Sequence, residues 1–348
     1  MSQGYQRPVT APGALRLHLN ENTAGCSPRV LEALRALSRH DVALYPDYDR
    51  IYETTARYLD VPVRSILLTN GLDEGIFLAA VLALTRRPDD AAPEAIVVLP
   101  AFDMYAICSQ ACGCRVIAVP PGREFGFPRE AVLAAVSPRT RVMFFSSPNN
   151  PTGVRVSNDD IRAVARALPP GALVFVDEAY HDFCGDTVLT ELGSLPNVVV
   201  GRTFAKAHGL AALRAGVLVA APETLDAFRP LIPPYSLNVA AAAALEAALA
   251  DGEYVAWYVA QVRQSRERFY GFCRRRGFPF WESGANFVLA RVGPHAAGLT
   301  GALQAQGICI RDKSGDPHCP GCIRVTTGTV EATEAAIAAM EAYLCGVA

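Results

Sequence analysis

Apolar runs of five or six residues alternate with helix-length amphipathic stretches through the first two thirds of the chain. The runs stand at Ser65–Thr69, Ala95–Leu99, Arg115–Val119, Arg141–Ser146, Ala172–Val176, Val198–Arg202 and Ala215–Ala220. Rich in Val, Ile, Leu and Phe, they are nearly continuous in apolarity, the pattern of strands covered on both faces. Between them, Asp73–Leu84, Arg129–Val136 and Asn158–Leu168 have amphipathic helical patterns. Alternating strands and helices predict an α/β fold with a mostly parallel seven-stranded sheet between layers of helix.

After Phe228 the pattern changes. Pro230, Pro233 and Pro234 punctuate the chain, and long helical patterns follow at Asn238–Ala250 and Glu253–Arg275. Strand candidates come next at Phe278–Trp281, Asn286–Val292, Ile308–Arg311 and Ile323–Thr326, before a closing helix at Val330–Leu344. Residues 231–348 are therefore expected to form a smaller C-terminal α/β domain, with 41–230 as the large domain. Residues 1–40 read as an arm and a helix, Pro28–Leu37, packing on the small domain. Ser27 is its N-cap, and Pro28 takes the first helical position, where its missing N–H costs nothing.

Composition narrows the function classes. At 348 residues, 51% hydrophobic and 19% charged, the chain has ample core-forming material and is not a disordered polymer. The formal net charge of −2 supplies no obvious basic face for nucleic acid. Its apolar runs, Ile76–Leu84 among them, fall far short of the ~20 residues of a membrane span. The start, MSQGYQRPVT, lacks a basic-then-apolar leader pattern, so a soluble cytoplasmic protein is expected. In that compartment the ten cysteines read as free thiols. Cys108, Cys112 and Cys114 lie far in sequence from His318, Cys319 and Cys322, and no metal site is expected.

Several residues at the ends of the predicted strands carry candidate chemistry. Lys206 follows Val198–Arg202 among small and apolar neighbours, where desolvation would lower its pKa toward that of a Schiff-base lysine. Asp177 ends the run ALVFV, so its carboxylate points into the crevice at the C-terminal edge of a parallel sheet, with Tyr180 three residues on. Asn149 and Asn150 begin the turn NNPTG at the same edge. After Ser65–Thr69, Gly71 permits a tight turn, and the amides of Leu72 and Asp73 open a helix whose N-terminus can hold an anion. Arg214 adds positive charge there and Thr203 a hydroxyl. No G-x-G-x-x-G follows the first strand, which removes the main support for a dinucleotide dehydrogenase. A lysine, a buried carboxylate, a phenol, an asparagine and a phosphate cradle are together what pyridoxal 5'-phosphate requires. In that reading Lys206 forms the imine, and Asp177 keeps the pyridine nitrogen protonated. Tyr180 and Asn150 bond the ring oxygen, while Tyr105 stacks on the ring face.

Across nearly its whole length the chain resembles the fold-type-I pyridoxal-phosphate aminotransferases, specifically the histidinol-phosphate aminotransferase group. The motifs that carry the resemblance run in order: LHLNENTAG, ALYPD, NGLDEGI, PAFDMY, SPNNPTG, VDEAY, RTFAKAHGLAALRAG, ANFVL, IRD and GCIRVTTGT. It implies an aminotransferase that moves an amino group between an anionic primary amine or amino acid and a 2-oxo acid. It further implies that Arg324 binds the substrate's anionic group and that Arg311 serves a substrate phosphate. Asn22, in the N-terminal segment, joins them as a substrate residue. Tyr45 would reach the cofactor phosphate of a partner subunit, which implies a homodimer. The chain departs from the family at Ala205, where a serine usually precedes the lysine, and at Leu72. It also lacks a tyrosine in the segment Asn20–Gly25. The other class open to such a scaffold is a decarboxylase, lyase or oxidase acting on an amino acid, because the cofactor makes the carbanion and the pocket decides its fate.

Overall fold

The computed structural model describes residues 10–85 and 92–346; residues 1–9 of the start read above lie outside them. A seven-stranded sheet runs in the order Ile66–Asn70, Ala215–Val219, Val198–Thr203, Leu173–Asp177, Thr140–Ser146, Glu94–Val98, Arg115–Val119. All neighbours pair in parallel except Ala215–Val219, which is antiparallel to the strands on both its sides.

The period of two along these strands sends alternate residues to opposite faces. Leu68, Met143, Phe145, Val174, Val176, Val200 and Val217 bury one face, beneath helices Asn158–Ala167 and Val239–Leu249. Leu67, Val97, Phe144, Phe175, Val199 and Leu218 bury the other against helix Leu72–Thr85, which contributes Ile76, Ala79 and Ala80. Both faces are therefore dry, which is why the strands read as continuous apolar runs. Helix Pro28–Arg35 is capped by Ser27, whose side chain accepts from Arg29 N, and it places Val30 in the first of these clusters.

A three-stranded antiparallel sheet, in the order Arg311–Asp312, Cys322–Thr326, Phe287–Arg291, has its own core with Phe269, Phe272, Leu299, Leu303 and Met340. Two expected elements differ here. Phe278–Trp281 forms no strand and contributes only an isolated bridge from Phe280 to Ala290. The run Ile308–Arg311 divides at Ile310, so that Ile308–Cys309 pairs with Leu15–Arg16 of the arm while Arg311–Asp312 joins the small sheet. The arm thus lies beside the small sheet, and Thr326 N donates to Leu17 O at 2.8 Å.

Among the described residues no helix is long and apolar enough to cross a membrane. Among the described residues no disulfide forms, and no group of three or more His, Cys, Asp or Glu is placed to hold a metal ion. Cys108, Cys112 and Cys114 pack in the core of the large sheet. Cys319 and Cys322 pack with Trp281 and Leu289.

Candidate active site

Five chain segments deliver side chains to one edge of the large sheet, where a cavity of about 370 Å³ opens. Asp177 is the last residue of its strand, and Thr203 ends the next one, three residues before Lys206. Ser146 ends a third strand, and Asn150 follows in the turn. Gly71 and Leu72 stand between strand Ile66–Asn70 and its helix, and Arg214 immediately precedes the antiparallel strand. The C-terminal edge of a mostly parallel sheet is where an α/β fold places its ligand crevice.

Burial tunes the two central groups in opposite directions. Asp177 is buried, and desolvation raises its carboxyl to about 6, against the downward pull of its hydrogen bonds. Those bonds come from Tyr105 Oη to Oδ2 at 2.6 Å and from Ala179 N to Oδ1 at 2.9 Å. Lys206 is lowered to about 8 by desolvation first and by the positive charge of Arg324 second. Its Nζ donates to Leu19 O at 3.2 Å and lies 5.9 Å from the centre of the Tyr180 ring. An amine of this kind is neutral, hence nucleophilic, at a pH where an ordinary lysine is protonated. Reductive methylation of cofactor-free protein with formaldehyde and cyanoborohydride should label Lys206 with a rate that rises through about pH 8. An ordinary lysine needs a pH near ~10.4. Site-resolved mass spectrometry reads the profile, and a rise only above pH 10 would contradict this lowering.

The anion cradle is tightly built. Arg214 adopts a left-handed backbone (φ 57°) and turns its guanidinium onto Gly71, where a Cβ would sit 2.4 Å from a terminal nitrogen. Its terminal nitrogen also donates to Asp73 Oδ2 at 2.8 Å. Gly216 lets the turn approach equally closely, since a Cβ there would meet Leu72 N at 2.8 Å. The Leu72 side chain packs away into the core, so this position can offer its amide. Ala205 has no hydroxyl, and its N–H is taken by Thr203 Oγ1 at 3.2 Å.

On the opposite wall, Arg324 is buried and donates to Asn150 Oδ1 and, at 2.6 Å, to His18 O. Arg311 is its Cα partner across the small sheet and also lines the cavity. Tyr180 is buried, its ring edge-on to Phe287, and its hydroxyl accepts from Asn20 Nδ2 at 2.9 Å.

Two expectations are corrected by this geometry. Tyr105 cannot offer a ring face to a ligand, because its ring is wholly buried and stacked on Phe144 at 5.5 Å. What it brings to the cavity is its hydroxyl, on Asp177; Phe102, partly buried and edge-on to Tyr105, is the aromatic residue at the wall. Asn22 does not line the cavity. Its amide donates to Ala207 O at 2.9 Å and its oxygen accepts from Ala24 N, so the side chain closes its own turn. The wall residues from this segment are His18, Leu19, Asn20 and Glu21. Asn20 has a left-handed φ of 57°, which Asn tolerates better than most residues, and is locked by Thr326 Oγ1 and Asn286. No local pattern marks these residues. Lys313, also on the wall, is marked only by standing two residues after Arg311. Tyr45 lies outside the cavity, 77% exposed and stacked on Tyr235 at 4.1 Å.

Residues 12–340 match the family model described as aminotransferase class I and II. A histidinol-phosphate aminotransferase of Symbiobacterium thermophilum is 35% identical, the match covering 98% of this chain and 94% of that one. One of Methanococcoides burtonii is 32% identical over 93% and 89% of the two chains. Among solved structures, a histidinol-phosphate aminotransferase from Sinorhizobium meliloti in complex with pyridoxal 5'-phosphate superposes with a TM-score of 0.86. It is 27% identical, with 96% of this chain and 91% of that one covered.

Proposed function

The chain belongs to the class I and II aminotransferases, and from that premise we propose that it uses pyridoxal 5'-phosphate to move an amino group between an anionic primary amine and a 2-oxo acid. The observation that carries this reading is the meeting of Lys206 and Asp177 in one cavity, where the same burial pushes the amine down and the carboxyl up. The donor set fits the cofactor. A desolvated amine, a buried carboxylate and a turn whose left-handed backbone at Gly71 (φ 74°) favours glycine face one space. When bound, the cofactor supplies an electron-accepting ring that stabilises the charge left when a bond at the substrate carbon breaks.

This chain's residues do the rest. Lys206 Nζ would hold the cofactor's carbonyl carbon and would take up and return the substrate's proton. Asp177 pairs with the protonated ring nitrogen, and Tyr105 and Ala179 fix the carboxylate's orientation. Tyr180 and Asn150 would bond the ring hydroxyl, and Phe102 would supply the apolar face. The Gly71, Leu72 and Asp73 turn, with Thr203 and Arg214, holds the phosphate. Arg324 takes the carboxylate of the 2-oxo acid and Arg311 the distal anion of the amine, because planar guanidinium groups pair with carboxylate and phosphate. Tyr45 serves the phosphate site of a second copy, so the working unit is a homodimer.

Histidinol phosphate, for which the relatives are named, is the first donor to try. Protein loaded with pyridoxal 5'-phosphate, given this amine and 2-oxoglutarate, should form glutamate in step with donor loss. Release of carbon dioxide or ammonia without glutamate would replace transamination by decarboxylation or elimination.

A further inference from the structure

Only two of the chain's 32 Lys and Arg residues are lysine, Lys206 and Lys313. Both line the same cavity. Everywhere else the basic residue is arginine, whose planar fork suits exposed and bidentate pairing, whereas an ammonium is a compact point charge. Lys206 has its role in the proposed chemistry. Lys313 has none so far.

Lys313 continues the ladder of the small sheet, donating its N–H to Cys322 O at 2.9 Å. It stands two residues after Arg311 and so shares a strand face with it, while Arg324 lies directly opposite Arg311. Three cationic side chains thus converge on one wall. Lys313 is only 8% exposed, and its ammonium is held below the ordinary lysine range by burial first and by Arg324 second. His18, on the same wall, is held down to about 4 by burial and by Arg16, Arg311 and Arg324, so it stays neutral at pH 7. Carboxylates offset this concentration of charge: Glu21 and Asp103 line the same cavity, and Asp103 acts on Lys313 at longer range. Asp316 forms an ion pair with Lys313, and its backbone N–H closes the turn onto Lys313 O at 2.9 Å.

We propose that Lys313 is a specificity-determining residue that contacts the distal anion of the amine donor, and that Asp316 sets how much charge this anion must carry. The inference rests on the reading of Arg311 and Arg324 as substrate ligands. A singly charged carboxylate is served by the arginines alone and leaves the Lys313–Asp316 pair closed. A dianionic phosphate competes with Asp316 for the ammonium and gains a further charge-assisted hydrogen bond from a largely buried side chain. Removing Asp316 frees Lys313 for the donor.

The test follows the half-reaction of pyridoxal-phosphate-loaded enzyme with histidinol phosphate or with glutamate, each alone, by cofactor absorbance. Lys313→Gln should weaken apparent affinity for histidinol phosphate about tenfold or more, the scale of one charge-assisted bond. The maximal rate, and affinity for glutamate, should stay within about twofold. Asp316→Asn should tighten histidinol phosphate, and Lys313→Arg, which keeps the charge, should hold the phosphate preference if Lys313→Gln is lost to misfolding. Equal losses on both donors, no loss on either, a loss confined to the maximal rate, or an Asp316→Asn that weakens histidinol phosphate overturns the proposal. So does a wild type that takes glutamate and refuses histidinol phosphate. A wild type that transfers from neither donor overturns the aminotransfer reading itself, whereas one active on both with an indifferent Lys313→Gln overturns only this inference.

Discussion

Lys206→Ala should lower turnover by about 10³-fold or more while the protein stays folded. On the proposed roles the variant loses both the amine that anchors the cofactor and the group that carries the proton, and general acid–base action alone accounts for about 10²–10⁴ in rate. Structural losses are small by comparison. The side chain makes one hydrogen bond, to Leu19 O, and its removal relieves a desolvated ammonium beside Arg324. Circular dichroism should report an unchanged fold, and steady-state glutamate formation should report the loss. Activity within a few-fold of wild type would withdraw Lys206 from the chemistry.

Asp177→Asn is the second large effect. The substitution keeps the size of the side chain and can still accept from Tyr105 or Ala179, but it removes the anion proposed to hold the proton on the cofactor's ring nitrogen. One well-placed electrostatic group is worth about 10²–10³ in rate, so a loss of a hundredfold or more is expected with cofactor retained. An unchanged rate would end the role assigned to it. The cofactor-free protein offers an independent check. Asp177 titrates at about 6 rather than near 3.8, because burial favours the neutral acid. A carboxyl raised on folding contributes stability that is fully present below the unfolded value and is lost as pH rises through the folded one. The melting temperature of wild type relative to Asp177→Asn should therefore fall between about pH 4 and pH 6 and level off above. A difference that is flat across this window would mean that the carboxyl is not desolvated as described.

The large sheet was legible because its strands are dry on both sides, and dryness is written into composition at each position. The seven runs from Ser65–Thr69 to Ala215–Ala220 match the seven strands to within a residue or two at either end. Direction was less so. Eleven residues without a crossover helix separate Thr203 from Ala215, too little chain for the usual parallel return, and strand Ala215–Val219 runs antiparallel. At the small sheet, Phe278–Trp281 has the apolarity of a strand, yet it makes only an isolated bridge to the neighbouring strand.

By itself the sequence determined the groups that stand at strand ends. Asp177, Thr203, Lys206, Gly71 and Leu72 end or closely follow apolar runs, Arg214 directly precedes the antiparallel one, and a strand end in this architecture faces the crevice. Tertiary structure decided the rest. Asn20 meets Tyr180 across 160 residues and Thr326 across 306, contacts that no local pattern encodes. Within PAFDMY, packing against Phe144 chose Tyr105 for the core and left Phe102 at the wall. Between two asparagines two residues apart, the left-handed turn at Asn20 chose which one lines the cavity. Periodicity reports how a residue relates to its own strand or helix. Which side chains share a cavity depends on how distant segments pack, and packing energy belongs to pairs of segments rather than to either alone.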